Sequence, residues 1–303
     1  MEGSERNLLI YNPRAGRNGA RPPLERIVSA LGDSADDYRI RVTEYQGHAR
    51  ELARDFGGAA DTVICCGGDG TLNEVVAGLL QGGHRPKVGY VPIGSTNDYA
   101  SNLGIPKKME DAMALIASGR TNECDIGSFN GRNFNYIASF GPGTTVSYAT
   151  SQKLKNHIGY SAYMINGFVL RTIPTMRELK PKHIRIEYDG NVLDDEFYFC
   201  TVTNALSAAG LFRYDENTVK FNDGQFEIML VRRLKSPLSL FSMLNRMRTR
   251  DYDGETLMCL RGSDIRFWFD TPEPWTLDGE YGGTYAVSRA VNRSRSLNVV
   301  FGK

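Results

Sequence analysis

The chain has 303 residues, 41% of them hydrophobic and 23% charged, which is the composition of a folded globular protein and excludes wholesale disorder. Lys and Arg total 36 against 35 Asp and Glu, so a net charge of +1 argues against nucleic-acid binding through bulk positive charge. The sequence shows no membrane-spanning run, no signal-peptide pattern and no CxxC spacing among its five cysteines, which predicts free thiols in a soluble, cytoplasmic protein of about two domains.

The first third of the chain alternates between short apolar runs and helical patterns. Strands are predicted at residues 8–11, 38–45, 62–66 and 87–91, and helices at residues 23–31, 48–56 and 98–103. After the third strand, apolar residues recur at helical spacing, namely Leu72, Val75, Val76, Leu79 and Leu80. This alternation predicts βαβ units and an open parallel sheet, which is a Rossmann-like α/β domain.

The pattern changes near residue 125. Strands are predicted at residues 133–140, 183–188, 196–203, 226–231, 265–269 and 284–287, and long helical stretches at residues 151–171 and 236–248. Asp189-Gly190 lies between two strand-like runs and indicates a hairpin. We therefore predict an α/β domain over residues 1–127, to which residues 290–303 return, and a mainly antiparallel β domain over residues 128–289.

A glycine-rich segment at residues 67–74, Gly-Gly-Asp-Gly-Thr-Leu-Asn-Glu, lies between a predicted strand and an amphipathic helix. Glycines at such a junction let backbone amides approach a ligand, and the helix N-terminus favours an anion such as phosphate. The segment is neither a Walker A loop nor a GxGxxG motif. Asp69 in its centre requires a cation such as Mg²⁺ beside phosphates.

Two further polar loops follow predicted strands, at residues 12–16 and 92–98, and Thr43 follows another. In open α/β sheets the carboxyl ends of the strands form the ligand crevice. We therefore expect these loops to converge on the glycine-rich segment.

Five short motifs occur in order along the chain. They are Asn-Pro-x-x-Gly at 12–16, Gly-Gly-Asp-Gly-Thr-x-Asn-Glu at 67–74, Pro-x-Gly-Ser-x-Asn-Asp at 92–98, Asp-Ile-Gly at 125–127 and Asp-Gly-Glu at 278–280. In this order and spacing the chain resembles the diacylglycerol kinase catalytic family, which includes sphingosine and ceramide kinases. It is most similar to the soluble bacterial branch of Gram-positive organisms, over nearly its whole length. The resemblance implies an N-terminal domain of the NAD-kinase and phosphofructokinase type and a C-terminal β-sandwich.

The resemblance also implies an activity and a role for each matching residue. The enzyme would use ATP and Mg²⁺ to phosphorylate the hydroxyl of diacylglycerol, a lipid, giving phosphatidic acid. Glu280 would be the general base, which suits a carboxylate that accepts the proton of an attacking alcohol. Asp278 would orient the site or help to position Mg²⁺. Asp69 would hold the catalytic Mg²⁺, joined by Asp98 and Asp125. The residues at the nucleotide would be Asn12, Pro13, Arg14, Ala15, Gly16, Thr43, Gly67, Gly68, Asp69, Gly70, Thr71, Leu72, Asn73, Glu74, Ser95, Asn97, Asp98 and Asp125.

A second, structural Mg²⁺ is implied in the β domain. The carboxylate of Asp223 and the backbone oxygens of Lys220 and Gln225 would hold it, an oxygen-only set that suits Mg²⁺. The sequence departs from the family just upstream, where residues 215–218 replace a stretch that usually contains proline. The resemblance further implies peripheral, transient contact with a membrane and a homodimer.

Three alternative functions remain open. The acceptor could be another lipid alcohol, such as a sphingoid base, ceramide, undecaprenol or monoacylglycerol. An NAD kinase would share the Gly-Gly-Asp-Gly segment but lacks the motifs at residues 12–16 and 278–280. A nucleotide-binding regulator without turnover would keep Asp69 and could dispense with Glu280.

Overall fold

A computed structural model of the protein describes residues 6–16, 22–141, 180–208, 212–214, 219–232, 246, 249, 252 and 254–301. The chain divides into two compact units, an N-terminal unit (Met1–Cys124 with Arg295–Lys303) and a C-terminal unit (Asp125–Ser294). The helical stretch predicted at residues 151–171, and that at 236–248 apart from residue 246, lie outside the described residues.

The N-terminal unit is an α/β structure built on parallel strands. Its elements are β1 (Asn7–Tyr11), α1 (Leu24–Leu31), β2 (Tyr38–Val42), α2 (His48–Phe56), β3 (Thr62–Gly67), α3 (Asp69–Gly82), β4 (Lys87–Pro92), α4 (Asp98–Leu103) and α5 (Met109–Ala117). The strands lie in the order β2-β1-β3-β4, and each neighbouring pair is parallel. Asn298 and Val299, near the end of the chain, pair in parallel with Lys87 and Val88.

Apolar runs in the sequence become the centre of this sheet. Leu9, Ile10 and Ile64 in β1 and β3 are fully buried, as strands covered on both faces should be. Helix α3 buries the predicted face with Leu72 and Leu79 among its members, and Gly83, with a left-handed φ of 69°, caps its C-terminus. Of the helices in the described ranges, none has both the length and the apolarity needed to cross a bilayer.

The C-terminal unit is rich in antiparallel strands. They are β6 (Arg132–Phe134), β7 (Ile137–Phe140), β8 (Lys182–Tyr188), β9 (Asn191–Thr203), β10 (Ser207–Ala208), β11 (Phe212–Arg213), β12 (Phe226–Arg232), β13 (Leu257–Gly262) and β14 (Asp264–Leu277). Two strands, β5 (Thr121–Phe129) and β15 (Glu280–Val300), contribute residues to both units. Neighbouring strands follow the order β13-β12-β9-β7-β14-β15, and β8 pairs with both β9 and β14.

Two hairpin turns and an aromatic cluster organise this unit. Strands β8 and β9 are joined by Asp189 and Gly190, with φ values of 44° and 84°, which confirms the predicted hairpin. Asp278 and Gly279 make the same kind of turn between β14 and β15, with φ values of 49° and 83°. The indole of Trp275 is fully buried against four phenylalanine rings, those of Phe129, Phe140, Phe267 and Phe269.

The single strand predicted at residues 133–140 is wrong. The segment forms two strands, β6 and β7, because the backbone amides of Asn135, Tyr136 and Ile137 all bond to the carboxylate of Asp278. Those amides bond to a side chain that is 141–143 residues away in the sequence. The local alternation of apolar and polar residues cannot reveal such a distant partner. Helix α5 and strands β5 and β13 are elements that the periodicity did not indicate.

Candidate active site

Three loops at the carboxyl ends of β1, β3 and β4 pack backbone against backbone. A Cβ added to Gly16, whose φ is 82°, would lie 2.4 Å from the carbonyl oxygen of Ile93. A Cβ added to Gly94 would lie 2.5 Å from the Cα of Gly68. Only glycine permits such approaches. The convergence predicted from the parallel sheet is therefore confirmed, and its cause is the absence of side chains at these positions.

Asn12 joins the loop after β1 to the loop after β3. Its side-chain amide donates to the hydroxyl of Thr71 at 2.8 Å, and its side-chain oxygen accepts the amide of Arg14 at 2.8 Å. Its own backbone amide donates to the carbonyl of Cys66 at 2.9 Å. Asn12 thus holds two loops in register, while the side chain of Arg14 is exposed.

Glu74 ties helix α3 to the loop after β2. One carboxylate oxygen accepts the backbone amide of Gly47, which has a φ of 92°, at 2.8 Å. Thr43, in the same loop, is buried and donates its amide to the carbonyl of Tyr11 at 2.9 Å. The loop after β2 is therefore fixed to both β1 and α3.

Asn97 organises the loop after β4 from a left-handed conformation, with a φ of 56°. Its side-chain oxygen accepts the amide of Gly94 at 3.0 Å, and its side-chain nitrogen donates to the carbonyls of Gly94 and Pro92 at 2.9 and 3.2 Å. The side chain is buried and occupied by these bonds. Asn97 therefore shapes the loop, and Ser95 is the exposed residue of that loop.

Tyr90 is a site residue that the sequence analysis missed. It is fully buried in β4, and its hydroxyl donates to the side-chain oxygen of Asn97 at 3.3 Å. Burial and the nearby Asp69 carboxylate raise the pKa of Tyr90 well above its ordinary value, so the hydroxyl stays protonated. The sequence did offer a signal for Tyr90. The residue lies within a run predicted to be a buried strand, and a tyrosine hydroxyl that is buried requires a polar partner.

Asp69 carries the charge at the centre of the three loops. Its carboxylate accepts the backbone amides of Asp98 at 3.0 Å and Tyr99 at 3.3 Å, in the first turn of α4. Burial raises the pKa of Asp69, and hydrogen bonds from those amides oppose the rise. Among the residues that the structure describes, no cation lies beside this desolvated carboxylate, which is held by backbone amides. A bound cation would balance its charge, so Asp69 fits a divalent metal site.

Helix α3 directs its N-terminus at the same place. It begins at Asp69, after an extended Gly68, and runs for 14 residues. The first amides of an α-helix lack partners within the helix and, with the helix dipole, attract anions. The arrangement of amides, glycines and one acidic group can hold a phosphate together with its metal ion. The predicted nucleotide residues lie in three kinds of place. The loops contain Asn12, Pro13, Arg14, Ala15, Gly16, Thr43, Gly68, Ser95 and Asn97. Gly67 ends β3, whereas Asp69, Gly70, Thr71, Leu72, Asn73 and Glu74 begin α3, and Asp98 begins α4.

Asp125 lies in the C-terminal unit and is fully buried. Its carboxylate accepts the amide of Gly224 at 2.6 Å, and its own amide donates to the carbonyl of Phe221 at 2.6 Å. The side-chain amide of Asn204 donates to its carbonyl at 3.0 Å. The structure thus places Asp125 against the loop of residues 220–225, within its own unit.

Asp278, in the turn between β14 and β15, and Glu280, just after that turn, have different surroundings. Asp278 accepts the amides of Asn135, Tyr136 and Ile137 at 2.6, 3.1 and 3.1 Å. Glu280 is exposed at the first position of β15. Asp278 is therefore committed to holding the backbone, whereas the carboxylate of Glu280 is accessible to a substrate.

The residues proposed for a structural Mg²⁺ do not fit that ion. The carboxylate of Asp223 accepts the amide of Gln225 at 3.0 Å and, on its other oxygen, the guanidinium of Arg261. Burial raises the pKa of the neighbouring Glu227 to about 8, against the lowering effect of Arg261. The guanidinium of Arg261 already occupies one oxygen of the Asp223 carboxylate, which is the charged member of the predicted ligand set of Lys220, Asp223 and Gln225.

Replacing Asp278 with alanine is expected to destabilise the C-terminal unit by about 2–4 kcal/mol, because three backbone amides lose their acceptor and alanine disfavours a φ of 49°. Asp278→Asn should lower the free energy of unfolding by roughly half as much. The side-chain oxygen of asparagine can still accept the amides of Tyr136 and Ile137. Urea unfolding followed by tryptophan fluorescence measures the free energy of unfolding of this unit, because both tryptophans of the chain, Trp268 and Trp275, lie in it. Equal stability of Asp278→Ala and the unmodified protein would contradict the role of Asp278.

Comparison with known proteins agrees with this combination of an α/β unit and a strand-rich unit. The diacylglycerol kinase catalytic domain matches residues 6–129. Similar proteins include a diacylglycerol kinase of Bacillus subtilis (strain 168), 31% identical over 99% of this chain and 97% of the relative. Another, from Staphylococcus aureus (strain MRSA252), is 33% identical over 97% of this chain and 92% of the relative.

Solved structures share the fold. The crystal structure of a diacylglycerol kinase from Bacillus anthracis str. Sterne superposes with a TM-score of 0.74 at 21% identity, covering 98% of this chain and 97% of that chain. A second solved chain from the same organism has a TM-score of 0.80 at 25% identity, again covering 98% and 97%. The family match and the names of the two curated relatives indicate an ATP-dependent lipid kinase. The chain belongs to the diacylglycerol kinase family.

Proposed function

We propose that this enzyme transfers the γ-phosphoryl group of ATP to the hydroxyl of diacylglycerol, giving phosphatidic acid and ADP. The observation that carries the proposal is the meeting of three glycine-bearing loops and the α3 N-terminus around Asp69. The names of the relatives from Bacillus subtilis and Staphylococcus aureus support diacylglycerol as the acceptor.

In the proposed reaction the hydroxyl oxygen forms a bond to the γ-phosphorus, and the bond from that phosphorus to the β,γ-bridging oxygen breaks. Glu280 accepts the hydroxyl proton, for which its exposed carboxylate is suited. Backbone amides of the glycine loop (residues 67–70) orient the phosphates. Asp69 would hold Mg²⁺, which, when bound, neutralises phosphate charge. The family resemblance implies supporting roles for three further residues. Asp98 and Asp125 would join Asp69 at the metal, and Asp278 would hold the backbone beside Glu280.

The finer properties of the enzyme belong to the same proposal. An N-terminal fold of the NAD-kinase and phosphofructokinase type is supported by the parallel order β2-β1-β3-β4 and the glycine loop after β3. A lipid acceptor means that a cytoplasmic enzyme meets its substrate at a membrane surface, which we propose is a peripheral and transient contact. The β-sandwich and the homodimer are proposed from the resemblance, and light scattering measures the latter.

Radiolabelled ATP and Mg²⁺ incubated with a panel of acceptors test the function. The panel contains vesicles with diacylglycerol, monoacylglycerol, a sphingoid base, ceramide or undecaprenol, together with free NAD. We expect label chiefly in phosphatidic acid. Preferential labelling of another lipid would reassign the acceptor, and labelling of NAD would indicate an NAD kinase. Nucleotide binding with no lipid-dependent release of ADP would indicate a regulator, and would refute the proposed activity.

A further inference from the structure

The loop of residues 220–225 is held in place by groups of the protein itself. The Gly224 amide donates to the Asp125 carboxylate at 2.6 Å, and the Asp125 amide returns a bond to the carbonyl of Phe221. Asp223 bonds the Gln225 amide with one oxygen at 3.0 Å. Its remaining oxygen accepts the guanidinium of Arg261. Each of these bonds restrains the loop without a metal ion.

The β-sheet fixes the position of Arg261. In the antiparallel pairing of β12 with β13, Arg261 lies directly opposite Glu227. Its Nε lies 3.4 Å from a carboxylate oxygen of Glu227, whose side chain is only 3% exposed. The register of two strands therefore places one guanidinium between two carboxylates, those of Asp223 and Glu227.

The chemistry of this cluster explains why a cation belongs there. Two carboxylates close together, one of them buried, repel each other, and either a proton on one of them or a positive charge between them relieves that repulsion. Burial raises the pKa of Glu227 and so favours the protonated form, and a neighbouring cation opposes that rise. Mg²⁺ can supply that charge through oxygen ligands, and arginine can supply it permanently through its fork of N–H donors. Here the arginine is part of the chain and needs no ion from solution.

We infer that Arg261 replaces the structural Mg²⁺ expected from the family resemblance. Its guanidinium is the counter-ion of Asp223 and Glu227, so the 220–225 loop folds independently of divalent cations. The replacement does not concern the catalytic metal proposed at Asp69, because Asp69 lies in the other unit.

Thermal unfolding of the full chain, without nucleotide, tests the inference. Tryptophan fluorescence reports on the C-terminal unit alone, because both tryptophans lie there. We expect the Tm in excess EDTA to equal that in millimolar Mg²⁺ to within about 1 °C. A fall in Tm with EDTA that Mg²⁺ reverses would overturn the inference, because it would show that the ion holds this unit.

Removal of the arginine should create the missing metal dependence. Arg261→Gln is expected to lower the Tm in EDTA by roughly 3–6 °C, and Mg²⁺ should recover much of this loss by binding the two freed carboxylates. The matched control is Arg289→Gln, which breaks an ion pair with Asp264 in the same unit and should show no response to Mg²⁺. An Arg261→Gln protein that is equally insensitive to Mg²⁺ would show that the guanidinium does not occupy a cation position.

Arg261→Lys keeps the inference testable if the glutamine variant does not fold. Lysine preserves the positive charge, so the Tm of the Arg261→Lys protein should be insensitive to EDTA, as in the unmodified protein. A lysine variant that needs Mg²⁺ for its stability would count against the charge of Arg261 as the replacement. These measurements require no catalysis, so they stand whatever acceptor the kinase assay finds.

Discussion

Replacing Glu280 with glutamine is expected to lower the kcat for lipid phosphorylation by about 10²–10⁴-fold, because the amide cannot accept the proton of the attacking hydroxyl. Glu280 is exposed at the start of β15, so the substitution leaves no buried group unpaired and should not change the Tm. ATP binding should also be preserved, since the proposed nucleotide contacts lie in the N-terminal unit. Initial rates with diacylglycerol vesicles, ATP affinity and Tm are the three measurements.

Glu187→Gln provides the matched control for this variant. Glu187 also lies on a strand of the C-terminal unit, and it pairs with Arg185 at the surface. Its loss should change neither rate nor Tm appreciably, since exposed ion pairs contribute little. Normal turnover by Glu280→Gln would remove Glu280 from the proposed mechanism. A large fall in Tm would instead assign it a structural role.

Asp69→Asn is expected to abolish most activity and also to lower stability. The charge proposed to hold Mg²⁺ is lost, so kcat should fall by at least about 10²-fold, and any remaining activity should require more Mg²⁺. The new side-chain NH₂ must face an amide donor of Asp98 or Tyr99, which leaves an unmade hydrogen bond costing about 1–3 kcal/mol. Assays below the Tm of the variant separate these two effects.

Asp61→Asn is the control at the opposite end of the same strand. Asp61 immediately precedes β3 and is exposed, whereas Asp69 follows the strand at its carboxyl end. Asp61→Asn should keep the Mg²⁺ dependence of the unmodified protein. If Asp69→Asn is as active as Asp61→Asn at every Mg²⁺ concentration, Asp69 does not hold the metal, and its role is limited to the cap of α4.

The polar residues of the motifs have roles that the sequence pattern predicts only in part. The spacing of glycines and acidic groups predicted where ligand loops would lie. It did not predict that Asn12, Glu74 and Asn97 direct their side chains at neighbouring loops. Such bonds depend on which loops become neighbours, and the identity of a residue carries no information about its distant partner. Tyr90 was missed for the same reason.

Local patterns along the chain specify the individual elements and their order. Apolar runs encode the buried strands β1, β3 and β4, and helical spacing encodes the buried face of α3. Parallel strands then bring their carboxyl ends to one edge, so the position of the phosphate loops follows from local pattern. Asp-Gly dipeptides likewise encode their hairpins, because they tolerate left-handed backbone.

The way in which distant charges and amides combine depends on the assembled fold. It divided residues 132–140 into two strands by presenting Asp278 to their amides, and it placed Arg261 between Asp223 and Glu227. Asp223 and Arg261 are 38 residues apart, and they meet because the β12–β13 register aligns Arg261 with Glu227. Periodicity reports which face of an element is buried, whereas the pairing of charges depends on strand neighbours and register, which are fixed only when the whole sheet assembles.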